Sequence, residues 1–257
     1  MNPTFTGIVE DMPIEEYHAH PHLSNSGISA LMRSPAHYRQ KDLKDSKALR
    51  IGTMLHTLIL EPHIAARWEP KASLRLKSQR DERQTAEDCA AAIIENPLVQ
   101  GLGLLDKARA KHELSMFTEV KTDEGPCFMR ARFDIWMPEL GTAFDPKTTE
   151  DAGRKAFLRS VEQFGYFRQA ALYMRVARTL GLEVNDDGFV FIAVEKSAPF
   201  GVKLYALDDQ AIEQGDREVM RAAEIWARCH RLGAWPSYED KIDTLCLSPW
   251  MIDAEEN

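Results

Sequence analysis

Extended patterning, with apolar side chains at alternate positions or in short runs, marks three neighbouring stretches: Leu114 to Lys121, Cys127 to Trp136 and Thr142 to Thr148. Between the last two lies Met137-Pro138-Glu139-Leu140-Gly141, a Pro/Gly turn signal that makes those strands antiparallel neighbours. Helical sequence flanks this block. Upstream, Ser24 or Asn25 caps a short helix over Ile28 to Arg33, and Ser34-Pro35 supplies the N-cap and first-turn proline of a second piece. A longer helix runs through Met54-Leu55-His56-Thr57-Leu58-Ile59-Leu60, another from Arg83 to Asn96 stops before Pro97, and a short one covers Leu104 to Lys111. Downstream, Asp151 to Leu180 reads as helix broken at Gly165. Phe189 to Val194 and Val202 to Leu207 read as strands, and Gln210 to Leu232 as a long closing helix with Gly233 as its C-cap. One domain over 1–257 is expected: a helical part at 1–112, a sheet and helix carrying the chemistry at 113–207, and a closing helix and tail at 208–257. No internal repeat or low-complexity segment interrupts it.

The candidate chemistry falls on the strands. Side chains alternate between the faces of a strand, so Asp145 and Lys147 share one side while Pro146 points away. The tight turn then brings Asp134, near the end of the preceding strand, close to Asp145. Hydrolysing a phosphodiester at neutral pH requires charge neutralisation on the phosphoryl oxygens and a deprotonated water, which one or two Mg²⁺ ions supply. Mg²⁺ takes only one or two carboxylates from a protein, so Asp134, Asp145 and the carbonyl of Pro146 suffice as ligands. Lys147 adds a point charge that orients and helps deprotonate the water or stabilises developing negative charge. Gln169 and Tyr173, four apart on one helix face, are placed to position the lysine, the water or a phosphate. An Asp-x-Lys triplet alone is weak. The ordered set of Asp134, the turn, Asp145-Pro146-Lys147 and Gln169-x-x-x-Tyr173 is much stronger, and it points to a metal-dependent nuclease.

Composition is that of an ordinary globular enzyme, 44% hydrophobic and 28% charged over 257 residues. No apolar run is long enough to span a membrane, and the acidic N-terminus lacks the sections of a signal peptide, so a cytoplasmic location is expected. Cys89, Cys127, Cys229 and Cys246 are widely and irregularly spaced, which argues against a zinc ribbon or an iron–sulfur cluster and for reduced thiols. The net charge of −8 weighs against binding to DNA phosphates. Its distribution offsets this: acidic residues gather at the ends, whereas Lys71 to Arg83 is locally basic, and Arg130, Arg132, Arg154, Lys155, Arg159 and Arg168 surround the candidate site in sequence. Arg75, Lys77, Arg80, Arg132 and Arg168 are the candidate DNA contacts. The segment from Lys71 to Arg83 reads equally as a solvated, partly mobile loop, and both descriptions hold if it orders on DNA.

These motifs resemble the PD-(D/E)XK nuclease superfamily, in particular its RecB-like branch and, within that, phage-derived exonucleases of the RecE (exonuclease VIII) type. Gly52-Thr53-Met54-Leu55-His56 is similar to that group's Gly-x-x-x-His element, which makes His56 a metal ligand by resemblance; read alone, it is a core histidine on an apolar helix. Asp134 matches the first carboxylate, Asp145 and Lys147 the Asp-x-Lys motif, and Gln169 and Tyr173 the Gln-x-x-x-Tyr motif. Leu23 to Ile28, Ser34 to Tyr38, and Trp235-Pro236 to Pro249-Trp250 extend the likeness over nearly the whole chain. Glu119 stands where related enzymes carry a glutamate on the first strand, either near the metal through water or simply solvated. The resemblance implies an α/β fold with a central mixed sheet flanked by helices. It also implies Mg²⁺ as cofactor, with Mn²⁺ made competitive by an imidazole ligand. The implied activity is 5′-to-3′ digestion of linear double-stranded DNA ends, leaving 3′ single-stranded tails for a strand-annealing partner, by a homo-oligomeric ring. Alternatives are a RecB-like single-strand nuclease, an endonuclease, and a non-catalytic DNA-end-binding protein on the same fold.

Overall fold

The chain reverses direction twice near its middle, and the hairpins so formed organise a mixed sheet. In the computed structural model, which describes residues 4–40, 45–238 and 241–247, the sheet has the order β1 (Gly7–Val9), β2 (Lys111–Thr122), β3 (Gly125–Met137), β4 (Thr142–Thr149), β5 (Phe189–Glu195) and β6 (Val202–Ala206). Helices α1 (Ile14–Ala19), α2 (Asn25–Arg33), α3 (Pro35–Arg39), α4 (Lys47–Leu60), α5 (Pro62–Ala65), α6 (Lys77–Glu95) and α7 (Pro97–Leu102) precede β2. Two more, α8 (Arg154–Phe164) and α9 (Tyr166–Thr179), carry the chain from β4 to β5, and α10 (Asp209–Leu232) follows β6. That crossover makes β4 and β5 parallel, while every other neighbouring pair is antiparallel. No helix among the described residues is long and apolar enough to cross a membrane.

Local chemistry sets the helix ends. The side chains of Ser24, Ser34, Ser46 and Asp208 accept from the backbone N–H of Gly27, His37, Leu49 and Ala211, capping α2, α3, α4 and α10. Gly165, at φ 66°, separates α8 from α9, as the sequence predicts. The expected short helix over Leu104 to Lys111 is not formed. Asn96 accepts from Leu98 and Val99 and starts α7 at Pro97 instead, Gly103 ends it in the left-handed conformation, and β2 begins at Lys111. The segment from Lys71 to Arg83 is a 3₁₀ turn over Lys71–Ser73 followed by α6 from Lys77, six residues earlier than predicted. Within the stretch read as helical, β1 joins the sheet beside β2. Trp235 and Pro236 lie within the described residues, whereas Pro249 and Trp250 lie outside them.

Helices cover both faces of the sheet. Ala131 and Phe133 of β3 pack with Ile28, Leu172, Val176 and Ala223 from α2, α9 and α10. On the opposite face Ile135, Met137, Phe144 and Ile192 pack with Leu55, Ile59, Ala90 and Ile93 from α4 and α6. The odd-numbered residues of β3 thus change layers at Asp134. Helix α10 nests closely on α9, since a Cβ at Gly215 would lie 2.4 Å from the Phe167 carbonyl oxygen. Gly52, by contrast, sits inside α4, where glycine costs about 1 kcal/mol relative to alanine, and a Cβ there would meet nothing within 4 Å.

Pairing between β3 and β4 is short: Met137 with Thr142, Trp136 with Ala143, Ile135 with Phe144. Beyond these pairs β4 continues beside β5 as far as Thr149, and β3 continues beside β2 as far as Gly125. The next positions in register are Asp134 and Asp145, so the strands part at the two carboxylates. Further along β3 the vacated edge is taken by Leu23, whose N–H donates to Phe128 O at 2.8 Å and whose carbonyl accepts from Arg130 N at 3.0 Å.

Candidate active site

At the fork, β4 supplies one half of the site. The Asp145 carboxylate is buried, with Oδ1 accepting from Lys147 Nζ and Oδ2 accepting from Gln169 Nε2 at 2.6 Å. Strand alternation thus places the acid and the amine together, and α9 closes over them. Between them Pro146 turns its carbonyl into the fork, 3.0 Å from His56 Nε2. Because β4 has no β3 partner there, the missing proline N–H costs no ladder hydrogen bond. Burial would lower the Lys147 pKa, but the carboxylates of Asp145 and Asp134 outweigh it and hold the amine above its ordinary range. Lys147 is therefore an ammonium, suited to stabilising negative charge rather than to accepting a proton. Its Nζ lies 5.3 Å from the centre of the Tyr166 ring.

The other half is built from α4, β2 and β3. His56 Nδ1 lies 3.5 Å from Asp134 Oδ2, and one donor atom from each of His56, Glu113 and Asp134 falls within 4.8 Å of the others. Burial, together with repulsion from Asp145 and Glu113, pushes the Asp134 carboxyl up to about 7 despite the opposing effect of His56. This half of the fork is thus rich in negative charge and short of positive charge.

Glu113 is opposite Asp134 in the β2–β3 register and has φ 53°. A non-glycine residue in that conformation costs about 1–3 kcal/mol and persists only where its surroundings hold it. Arg132 is what holds it: its Nε donates to Glu113 Oε2, and its Nη1 donates to Met12 O at 2.8 Å and Ser115 Oγ at 3.1 Å.

An imidazole and two carboxylates converging in a partly buried, electronegative pocket fit a divalent cation that favours oxygen ligands and tolerates one nitrogen, as Mg²⁺ and Mn²⁺ do. Asp145 falls outside this three-residue group, but a carboxylate with two hydrogen bonds retains lone pairs for a metal. The 3.0 Å between His56 Nε2 and Pro146 O is the length of an N–H···O bond, and also about that between adjacent donors around an octahedral ion with ~2.1 Å bonds.

The remaining sequence candidates divide. Tyr173 lies edge-on against Phe133 and Phe189, and burial lifts its pKa well above the ordinary value while Gln169 hydrogen-bonds to it. Gln169 thus links Tyr173 to Asp145 rather than reaching Lys147. Glu119 is exposed opposite Phe128, six residues and so roughly 20 Å along the strand from Glu113. Arg132 is buried under Glu113, and Arg168 is held by Glu218 Oε2 at 2.6 Å, so neither is free for DNA phosphates. Arg80 donates to the Leu74 carbonyl at 2.6 Å, while Arg75 and Lys77 are exposed. Glu113 and Tyr166 escaped the sequence reading. Glu113 had a signal: the two-residue turn Asp123-Glu124 pairs Thr122 with Gly125, and counting back from it sets Glu113 across from Asp134.

Fold and fork together place the molecule among PD-(D/E)XK-type domains. The family model described as a PDDEXK-like domain of unknown function (DUF3799) matches residues 24–248, and the chain belongs to that family. Among solved structures, one described as a "Putative exonuclease" from Eubacterium rectale superposes with a TM-score of 0.64 at 15% identity, covering 96% of this chain and 100% of that one. This is a likeness of fold. A phage related exonuclease from Haemophilus somnus 129PT is more distant, with a TM-score of 0.39 at 12% identity over 82% of this chain and 83% of its own. No curated protein sequence matches.

Proposed function

We propose that this protein is a divalent-metal-dependent deoxyribonuclease, acting as an exonuclease on the ends of linear double-stranded DNA. The observation that carries the reading is the fork itself, where a largely buried Asp145–Lys147–Gln169 set faces a His56–Glu113–Asp134 set with an excess of negative charge across the gap between parting strands. A cation bound there supplies charge neutralisation at the phosphoryl group and eases deprotonation of the attacking water. His56, Glu113 and Asp134 would hold such an ion, with Asp145 and the Pro146 carbonyl at hand. Lys147 offers its ammonium to a non-bridging oxygen as negative charge builds in the transition state. Gln169 fixes the rotamer of Asp145, Tyr173 fixes Gln169, and Arg132 holds Glu113 toward the gap.

The finer reading rests on the resemblance to RecE-type exonucleases: digestion runs 5′ to 3′, the 3′ tail passes to a single-strand annealing protein, several copies encircle the duplex, and Mg²⁺ serves with Mn²⁺ as a substitute. The test is incubation of 5′- and 3′-labelled linear duplex and closed-circular DNA with Mg²⁺ or Mn²⁺. The expected result is loss of 5′ label from the linear substrate and intact circles. Nicked or linearised circles would indicate an endonuclease, and no product from any substrate would remove the nuclease assignment.

A further inference from the structure

Gly52 lies four residues before His56 on α4, so the two share a helix face about one turn apart. Two reasons commonly explain a glycine within a helix, and neither applies here. Its φ lies outside the left-handed region, and a Cβ would meet no atom within 4 Å, so no neighbour requires the space. The helix carries its second-worst former one turn from a candidate metal ligand, with open space where a side chain would stand.

The same face continues away from the fork. Leu49, seven residues before His56, and Thr53, three before it, are both exposed, and both line a cavity of about 770 Å³. Its other walls include Met54, Trp68, Leu74 and Leu76, with Arg83 stacked 4.9 Å over the Trp68 ring. Along one stripe of α4 therefore lie a cavity with largely apolar walls, one of them aromatic, whose carboxylates Asp45 and Glu82 are paired with Arg50, a glycine with open space where a side chain would stand, and the charged fork.

We propose that Gly52 is a substrate-contact position. The sugar–phosphate backbone of one DNA strand crosses α4 at this residue on its way to the fork, and an unpaired base of that strand enters the cavity beyond. This rests on the nuclease reading and deepens it. Glycine is required where a polymer backbone approaches a helix too closely for a side chain. Apolar walls with an arginine-backed tryptophan suit a planar base without reading its sequence. The exposed Arg75 and Lys77 alternate in sequence with the cavity residues Leu74, Leu76 and Ser78, so a strand reaching the cavity passes near both cations.

The test uses the full chain with Gly52→Ala, Gly52→Leu and, as control, Gly101→Ala, a second helical glycine whose Cβ would also meet nothing, placed on α7. Both alanine variants are expected to melt about 2–4 °C higher than wild type. Mn²⁺ binding to the protein alone, followed by calorimetry, is expected to be unchanged in all three. Only the Gly52 variants should raise KM for linear duplex and the Kd for a labelled single-stranded oligonucleotide measured without metal, by about tenfold for alanine and more for leucine, with kcat nearly constant. Unchanged KM and Kd in Gly52→Leu, with wild type cleaving DNA, would overturn the track while sparing the nuclease. Failure of wild type to cleave any DNA would overturn the nuclease reading first, and the track with it.

Discussion

Two aspartates eleven residues apart meet across one fork in opposite electrostatic circumstances. Asp145 is already partnered by the protein: an ammonium on one oxygen, an amide on the other, and little exposure. Among the described residues Asp134 has no hydrogen-bonded cation: burial and the repulsion of two carboxylates outweigh an imidazole 3.5 Å away and the charge of Lys147, and its carboxyl is pushed up to about 7. The contrast is that the carboxylate of β4 is partnered by side chains of the protein, whereas that of β3 stands in an excess of negative charge, as the proposed cation site requires. Strain follows the same division, since the left-handed Glu113 lies on the Asp134 side.

The comparison is most strongly tested by Asp145→Ala, which leaves the Lys147 ammonium and the Gln169 amide without their common partner. Cleavage should fall by about a thousandfold or more while the circular dichroism spectrum is retained; near wild-type turnover would remove Asp145 from the site. Next comes a paired substitution on β2. Glu113→Ala should raise the Mn²⁺ dissociation constant by about 10- to 100-fold, and Glu119→Ala should leave it unchanged. Equal effects would mean that the hairpin register does not determine which glutamate serves the site. Gln169→Ala should lower kcat by about tenfold through a freed Asp145 rotamer and a lost bond to a charged acceptor, read as kcat against KM in steady-state kinetics.

The smallest expected effect is on stability against pH. The folded pKa of Asp134 is raised above its ordinary value of 3.8 to about 7, so the folded metal-free protein binds more protons than the unfolded chain between those values. Its contribution to stability is fully present below the lower value and is lost as pH rises through the upper one. Melting of the EDTA-treated protein should therefore drop by a few degrees from pH 5 to pH 8. Asp134→Asn should flatten the slope, and added Mg²⁺ should restore more at pH 8 than at pH 5. A wild-type profile no steeper than that of Asp134→Asn would contradict the contrast drawn above.

What could be read from the sequence follows the range of each rule. Strand alternation acts over two residues, and it correctly paired Asp145 with Lys147; turn chemistry acts over four or five, and it correctly folded β3 against β4. The place where those strands part depends on Leu23 arriving from more than a hundred residues upstream, and no local pattern carries it. Arg132 and Arg168 show a second boundary. Arginines near a candidate site in sequence suggest phosphate contacts, yet both are held by carboxylates, Glu113 and Glu218, that the fold brings to them. Composition also hid the start of α6: Lys77 to Glu82 is charged enough to read as loop, but Arg50 clasps Glu82 through Nη2 at 2.7 Å and gives that helical turn a partner.

The chain upstream of α2 has a bearing on where this domain may be cut. Similarity to the family begins at residue 24, and a fragment designed on that boundary would look complete by alignment. Yet Arg132 reaches back to the Met12 carbonyl, and Arg130 to those of Tyr17, His18 and His20, so residues 12–20 act as a buckle across the sheet. Trimming to the recognisable domain would unfasten it, leave the buried Arg130 guanidinium without these acceptors and take one acceptor from Arg132.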